Sequence, residues 1–336
     1  MKLGILDQSP ISKGESAGQA LNHSVLLAQR AEQLGYSRYW VAEHHSTAGL
    51  ASSSPEILMT HIASNTNRIR VGSGGVLLPQ YSPYKVAENF KTMEALFPGR
   101  IDLGVGRSPG GGPSIRLALT DGVKKNLIEF PRQLFDLQGF LDSNLPQGHP
   151  YKGINTNPVT STLPETWVLG LSERGAKVAG RNSAGFTYGH FINPYSGAEA
   201  VNSYLKSFTP SPRMDNPKVN ACVFVVCAES KEEAEELAVS QDHWLLAVEK
   251  GGNTQIISIE EAKARLLSDN DKVRIIENRK RAVIGTPEQV KEELLVLSRR
   301  YQTNELLIIT NIYDKRKRIR SYELLSKAFH LQGKNR

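Results

Sequence analysis

The chain has 336 residues, 41 of them basic and 34 acidic, for a net charge of +7; 39% are hydrophobic and 22% charged. This composition excludes a disordered or fibrous chain, and the length suits either two medium domains or one large α/β barrel. No run of about 18 uninterrupted apolar residues occurs, so no membrane span is expected, and the opening MKLGILDQSP lacks the apolar core of a cleavable leader.

Strand and helix patterns alternate from the start. Residues 3–6 read as a short apolar strand. Leu21, Val25, Ala28 and Ala31 follow at helical spacing, with Gly35 as a stop. Residues 39–42 form the next strand, and Leu58 and Ile62 mark a helix opening after Pro55. A glycine-rich strand spans 69–78. Val86, Phe90, Met93 and Phe97 give a helical stripe closed by Pro98-Gly99, and a fourth strand covers 101–105. Strand centres recur about every 30–35 residues, the length of one βα unit. Four more apolar strands follow at 167–171, 185–188, 219–226 and 306–309.

Eight strands, each with a plausible helix after it, favour a (β/α)8 TIM barrel over a doubly wound open sheet of six or so strands. The whole of 1–336 reads as one such domain. Its excess length falls in insertions at about 107–165, with a helix near 127–137, and about 229–283, with helices at 231–248 and 260–268. The two cysteines, Cys222 and Cys227, lie five apart on one strand and point to opposite faces. That spacing argues against a disulfide framework and for a reducing cytoplasm.

Barrel enzymes place their chemistry at the C-terminal strand ends. The search thus narrows to Asp7-Gln8-Ser9, Glu43-His44-His45, Gly72-Ser73-Gly74-Gly75, Gly106-Arg107-Ser108, Gly170-Leu171-Ser172, His190, Ala228-Glu229 and Thr310-Asn311. Adjacent His44 and His45 cannot point the same way. Either one faces the mouth and suits proton transfer, or both are hydrogen-bonded loop histidines. A metal site is disfavoured, because only His190 adds a ligand at another strand end.

Gly104 to Gly112 form a glycine-rich stretch in which Arg107 can hold an anion. It matches neither a Walker loop nor a dinucleotide fingerprint. Ser172 reads as an N-cap, and the first-turn amides beyond it form a second anion site or a plain cap. The two lie on neighbouring strands, where they could grip one phosphate together. Gly74 and Gly75 indicate a bulge, a close ligand or tight packing.

Taken in order, Ala42-Glu43-His44-His45, the 70–79 segment RVGSGGVLLP, LGVGR at 103–107, VLGLS at 168–172 and IGTPEQV at 284–290 resemble the bacterial luciferase-like monooxygenase family, in its flavin-dependent branch. The resemblance covers almost the whole chain. It implies a (β/α)8 barrel that binds reduced FMN supplied by a separate flavin reductase and oxidises a small organic substrate with O2. It implies phosphate contacts from Arg107 and Ser172 with nearby groups of Gly106, Gly170, Leu171 and Glu173. It also implies a non-prolyl cis peptide at Gly74–Gly75 and a catalytic role for His44 in proton transfer. Leu171 stands where many relatives carry a polar residue, which leaves one phosphate contact to backbone alone. Asp7, Gln8, His45, Tyr81 and His190 are candidates for the substrate wall, and a homodimer is expected.

A deazaflavin-dependent hydride-transfer enzyme is the nearest alternative, against which Glu43-His44-His45 speaks. A non-catalytic flavin-binding barrel is another, against which His44 speaks. The basic run at 315–320, KRKRIR, has no interleaved aromatic residue and reads as a solvated face rather than a nucleic-acid site.

Overall fold

The computed structural model describes residues 1–108 and 110–332; Pro109, within the expected anion loop, and residues 333–336 lie outside the described residues. In chain order the elements are β1 (Lys2–Asp7), α1 (Ala17–Leu34), β2 (Arg38–Val41), α2 (Pro55–Ser64), β3 (Arg70–Ser73), α3 (Pro83–Leu96) and β4 (Ile101–Gly106). Then come α4 (Pro113–Leu119), α5 (Phe130–Leu141), β5 (Glu165–Gly170), α6 (Glu173–Arg181), β6 (Gly185–Gly189), α7 (Gly197–Ser207) and β7 (Val219–Cys227). The chain continues through α8 (Lys231–Lys250), α9 (Ile259–Ala264), α10 (Asp269–Arg279), β8 (Ala282–Gly285), α11 (Pro287–Arg300), β9 (Glu305–Ile309) and α12 (Lys315–Ala328).

Local chemistry sets the boundaries. Ser16 and Gln19 cap the start of α1 reciprocally, and Gly35 ends it in the left-handed region at φ 85°. Proline stands in the first turn of α2, α3, α4 and α11.

All strand pairings are parallel. β1 to β7 pair in sequence, β7 pairs β9, and β9 returns to β1, which closes an eight-stranded (β/α)8 barrel. A ninth strand, β8, pairs only with β7, at Phe224↔Ala282 through Cys227↔Gly285. Phe224 is also paired with Ile309, so β8 takes the edge opposite β9, above the point where β6 leaves β7 at Cys222. The sequence pattern predicts no strand there. The predicted strand at 69–78 is also shorter. Regular pairing stops at Ser73, Val76 forms a lone bridge to Val105, and Leu78–Gln80 is a 3-10 turn. The helix expected at 260–268 ends at Ala264: Arg265 is extended, and a separate helix, α10, starts at Asp269.

Alternation along the strands divides two apolar layers. Leu3, Ile5, Tyr39, Val41, Phe186 and Val223 pack under the helices. Leu6, Trp40, Trp167, Phe224, Leu307 and Ile309 fill the barrel. The cysteines follow this division: Cys222 belongs to the inner layer and Cys227 to the outer, both buried and free.

Below the inner layer lies an ionic floor. Buried Arg38 reaches Asp102 at 2.7 Å, Glu305 at 3.0 Å and Glu165 at 3.5 Å. Arg70 also pairs with Asp102, and Lys218 with Glu165. Three cations thus meet three carboxylates. The Arg38 guanidinium also lies 4.9 Å from the centroid of the Trp167 ring, and the Trp40 indole donates to Asp102 at 2.8 Å. Trp40 and Trp167 meet edge to face at 5.6 Å, a contact worth about 0.5–1.5 kcal/mol beyond its area. Their bulk requires glycine opposite. A Cβ on Gly72 would lie 2.4 Å from the Trp40 indole nitrogen, and one on Gly185 2.4 Å from Trp167.

Replacing Arg38 with leucine should cost roughly 3–5 kcal/mol of stability, because it strands buried carboxylates without their counter-charge. Chemical denaturation checks this; a loss under about 1 kcal/mol would mean that the floor is not held by its charges.

Candidate active site

The mouth is organised by a residue to which sequence reasoning assigned no role. Glu43 follows β2 and is buried. One of its oxygens takes His45 Nε2 at 2.8 Å and the Tyr81 hydroxyl at 2.6 Å; the other accepts the Leu77 amide at 2.8 Å. One carboxylate therefore ties the loop after β2 to the segment after β3. A lone acid directly after an apolar strand was the available signal. His45 and Tyr81, both expected at the substrate wall, are brought together by it. The Tyr81 phenol is pushed well above its ordinary range, by burial and then by its bond to Glu43.

His44 lies beside this hub. Its amide donates to the Ser52 carbonyl at 2.9 Å, while its ring makes no hydrogen bond among the described residues. Burial, and then the neighbouring His45, push the imidazole down to about 4. At neutral pH His44 is therefore an uncharged imidazole, able to accept a proton or a hydrogen bond.

The Gly74–Gly75 peptide is cis. The Gly74 amide donates to Val41 and the Val76 amide to Gly104, each at 2.8 Å, so the segment is strung between β2 and β4. Side chains do not fit here. A Cβ on Gly74 would lie 2.4 Å from Leu6 Cδ1, and one on Gly75 2.8 Å from the Gly104 carbonyl.

β4 and β5 supply the anion-binding candidates. Gly106 pairs in register with Leu169, which places Arg107 and the Gly170-Leu171-Ser172 turn at adjacent strand ends. Arg107 is exposed and has no hydrogen bond or ion pair among the described residues. The Ser172 side chain accepts the Gly175 amide at 3.4 Å and so caps α6. Glu173, the first residue of α6, accepts the Ser203 hydroxyl at 2.5 Å and lies 3.8 Å from Lys177. A free guanidinium beside a capped helix start fits a phosphate. The loop beyond Arg107 folds back on the hub's segment: Gly110, at φ 77°, lies against Leu77, where a Cβ would come within 2.4 Å of Cδ1.

The remaining candidates lie elsewhere. Asp7 is fully buried and occupied by the Ser9 amide, Tyr39 and Arg318. Burial alone would raise its carboxyl, but the Arg318 charge with Ser24 and Tyr39 holds it below the ordinary range. Gln8 is buried at the end of β1 and receives the Asn311 amide at 3.4 Å. His190 follows β6, four strands from β2 around the barrel, and meets the Tyr301 hydroxyl through Nδ1 at 2.6 Å. Burial and the nearby Arg300 push it down to about 4.

Four of the five cations in the run at 315–320 are paired to carboxylates, while Arg316 and Lys317 are exposed. Lys315 pairs with Glu15, Lys317 with Glu233, buried Arg318 with Asp7, and Arg320 with Glu229 and Glu323.

The sequence matches the family described as luciferase-like monooxygenase over residues 1–303. It is 57% identical to the Bacillus subtilis protein YceB over 97% of this chain and 99% of that one. It is 38% identical to the N-acetyl-S-alkylcysteine monooxygenase of the same organism over 98% of both chains. Among solved structures, apo-MsnO8 superposes with a TM-score of 0.90 at 36% identity, covering 98% of this chain and 99% of that one. Two more distant structures share the fold. The oxygenating constituent of 3,6-diketocamphane monooxygenase from Pseudomonas putida, in complex with FMN, gives a TM-score of 0.70 at 20% identity over 97% of both chains. An F420-dependent secondary alcohol dehydrogenase gives 0.65 at 16%, covering 98% of this chain and 99% of that one.

His44 and His190 both titrate below the ordinary histidine range, so between pH 6.5 and about 4 the unfolded chain binds more protons than the folded one. Stability should fall as pH drops through that window. In His190→Gln the loss between pH 7 and 4.5 should shrink by about 1–3 kcal/mol. Unfolding measured at both pH values reads this, and an unchanged difference would remove His190 as a source.

Proposed function

The chain belongs to the luciferase-like monooxygenase family, and on that premise we propose that it is an FMN-dependent monooxygenase that uses reduced flavin and O2 to oxidise a small thioether. The observation that carries this reading is the unpaired Arg107 guanidinium beside the capped start of α6. A single phosphate fits that pair of groups. Arg107 would bind it bidentately, the Ser172 hydroxyl and the Glu173 amide would complete the grip, and Leu171 would offer only its backbone. Reduced FMN, when bound, supplies the electrons that activate O2. Gly74 and Gly75 let the backbone form the floor of the mouth without side chains. Glu43 orients that floor through Leu77 and Tyr81, and neutral His44 accepts or returns a proton beside it. The thioether class rests on the relative that acts on N-acetyl-S-alkylcysteine.

The same reading has one barrel domain carrying both insertions, a cytoplasmic setting, a separate flavin reductase and a homodimer. Its sharpest test separates binding from turnover. Arg107→Ala should weaken FMN binding roughly 10–100-fold in a fluorescence titration. His44→Ala should bind FMN normally yet lose about 10²–10⁴-fold in turnover of an N-acetyl-S-alkylcysteine, and ¹⁸O₂ should label the product of the unsubstituted enzyme. Binding of a deazaflavin and not of FMN would replace the reading with hydride transfer.

A further inference from the structure

A half-open cavity of about 320 Å³ lies outside the barrel, flanked by α8, the 252–257 segment and the link between α9 and α10. On α8, His243, Leu246, Ala247 and Lys250 recur at helical spacing and line it. The intervening Trp244 and Leu245 turn the other way and join Phe224 and Ile256 in the inner barrel cluster. One helix thus packs on the inner barrel cluster with one face and walls the cavity with the other.

The polar lining has a charge surplus. Lys13 and Arg265 share Glu261, at 2.9 and 2.8 Å, and Lys250 meets Asp271 at 2.6 Å. Three cations therefore face two carboxylates. His243 lies among them, only 7% exposed, and neither ring nitrogen has a hydrogen-bond partner among the described residues. Burial and then the Arg265 charge lower its basicity, so at neutral pH the ring is uncharged, with one nitrogen donating and the other accepting. Its ring nitrogens are not among the buried unpaired atoms of the described residues, so they reach the solvent of the cavity. Leu246, Ile257 and Leu267 supply an apolar wall, and Leu266 is fully exposed beside it.

We propose that this cavity is a second small-molecule site, which takes a compact organic monocarboxylate. One negative charge balances the surplus, whereas a phosphate dianion would overshoot it and an amine would enlarge it. The carboxylate would meet Arg265 and Lys250 and accept from His243, with a short alkyl tail on the leucines. The site is separate from the mouth but shares a wall with it. Ile256 holds the loop after β1 through the Ile11 carbonyl at 2.9 Å and the Lys13 amide at 2.7 Å.

Butanoate, inorganic phosphate and butylammonium are the probes, read by the NMR shift of the His243 ring. Butanoate should shift that signal saturably and more tightly than either other probe. Arg265→Gln and Lys250→Gln, both at half-exposed positions, should each weaken it by about tenfold; Arg107→Ala should leave it within about twofold. Absence of saturation, tighter binding of phosphate or amine, or equal affinity in the Arg265 and Lys250 variants would each overturn the proposal. Loss of butanoate binding in Arg107→Ala would do the same, by placing it at the mouth.

Discussion

A guanidinium sealed inside a barrel must be surrounded by charge, and Arg38 is so placed. Its neighbours Asp102, Glu165 and Glu305 come from β4, β5 and β9, so one side chain specifies the arrangement of strands that are far apart in sequence. The two indoles over it consume the remaining width, which in turn dictates glycine at 72 and 185. The floor is therefore dense and charge-neutral.

At the mouth a second carboxylate repeats the logic on a smaller scale. Glu43 gathers three donors from two loops and leaves His44 alone with an open ring. The acid fixes the geometry of both loops, and the imidazole next to it has no ring hydrogen bond among the described residues. Burial favours the uncharged form of His44 at neutral pH.

Much of this was legible in the amino-acid pattern. Eight apolar segments, the first four at regular spacing, announce a barrel, and their polar ends place Arg107 and Ser172 at neighbouring strand ends before any coordinates do. What escaped is what depends on distant partners. β8 is four residues long, with two of them only half-buried, and its identity as a strand comes from Phe224–Cys227 on β7. The predicted strand at 69–78 reads as continuous because its apolar residues continue, but Gly74 and Gly75 leave the sheet to pass between β2 and β4. Arg318 looked like one member of a solvated run, yet Asp7 draws it into the interior. Asp7 looked like a mouth residue for the same reason: its partner lies 311 positions away.

The pairing of four cations on α12 bears on where the net positive charge acts. With Lys315, Lys317, Arg318 and Arg320 paired to carboxylates, the cations without an ion pair among the described residues include Arg107 and, in the segment after β4, Arg116, Lys124 and Lys125, the last three lining an open cleft. Their field lies on the same side as the proposed phosphate grip and extends about a Debye length, roughly 8 Å in physiological salt. A dianionic cofactor passing between two proteins would then be captured by steering before it is held by contact. Ionic strength becomes a control on the rate of delivery, independent of how tightly the cofactor is finally bound.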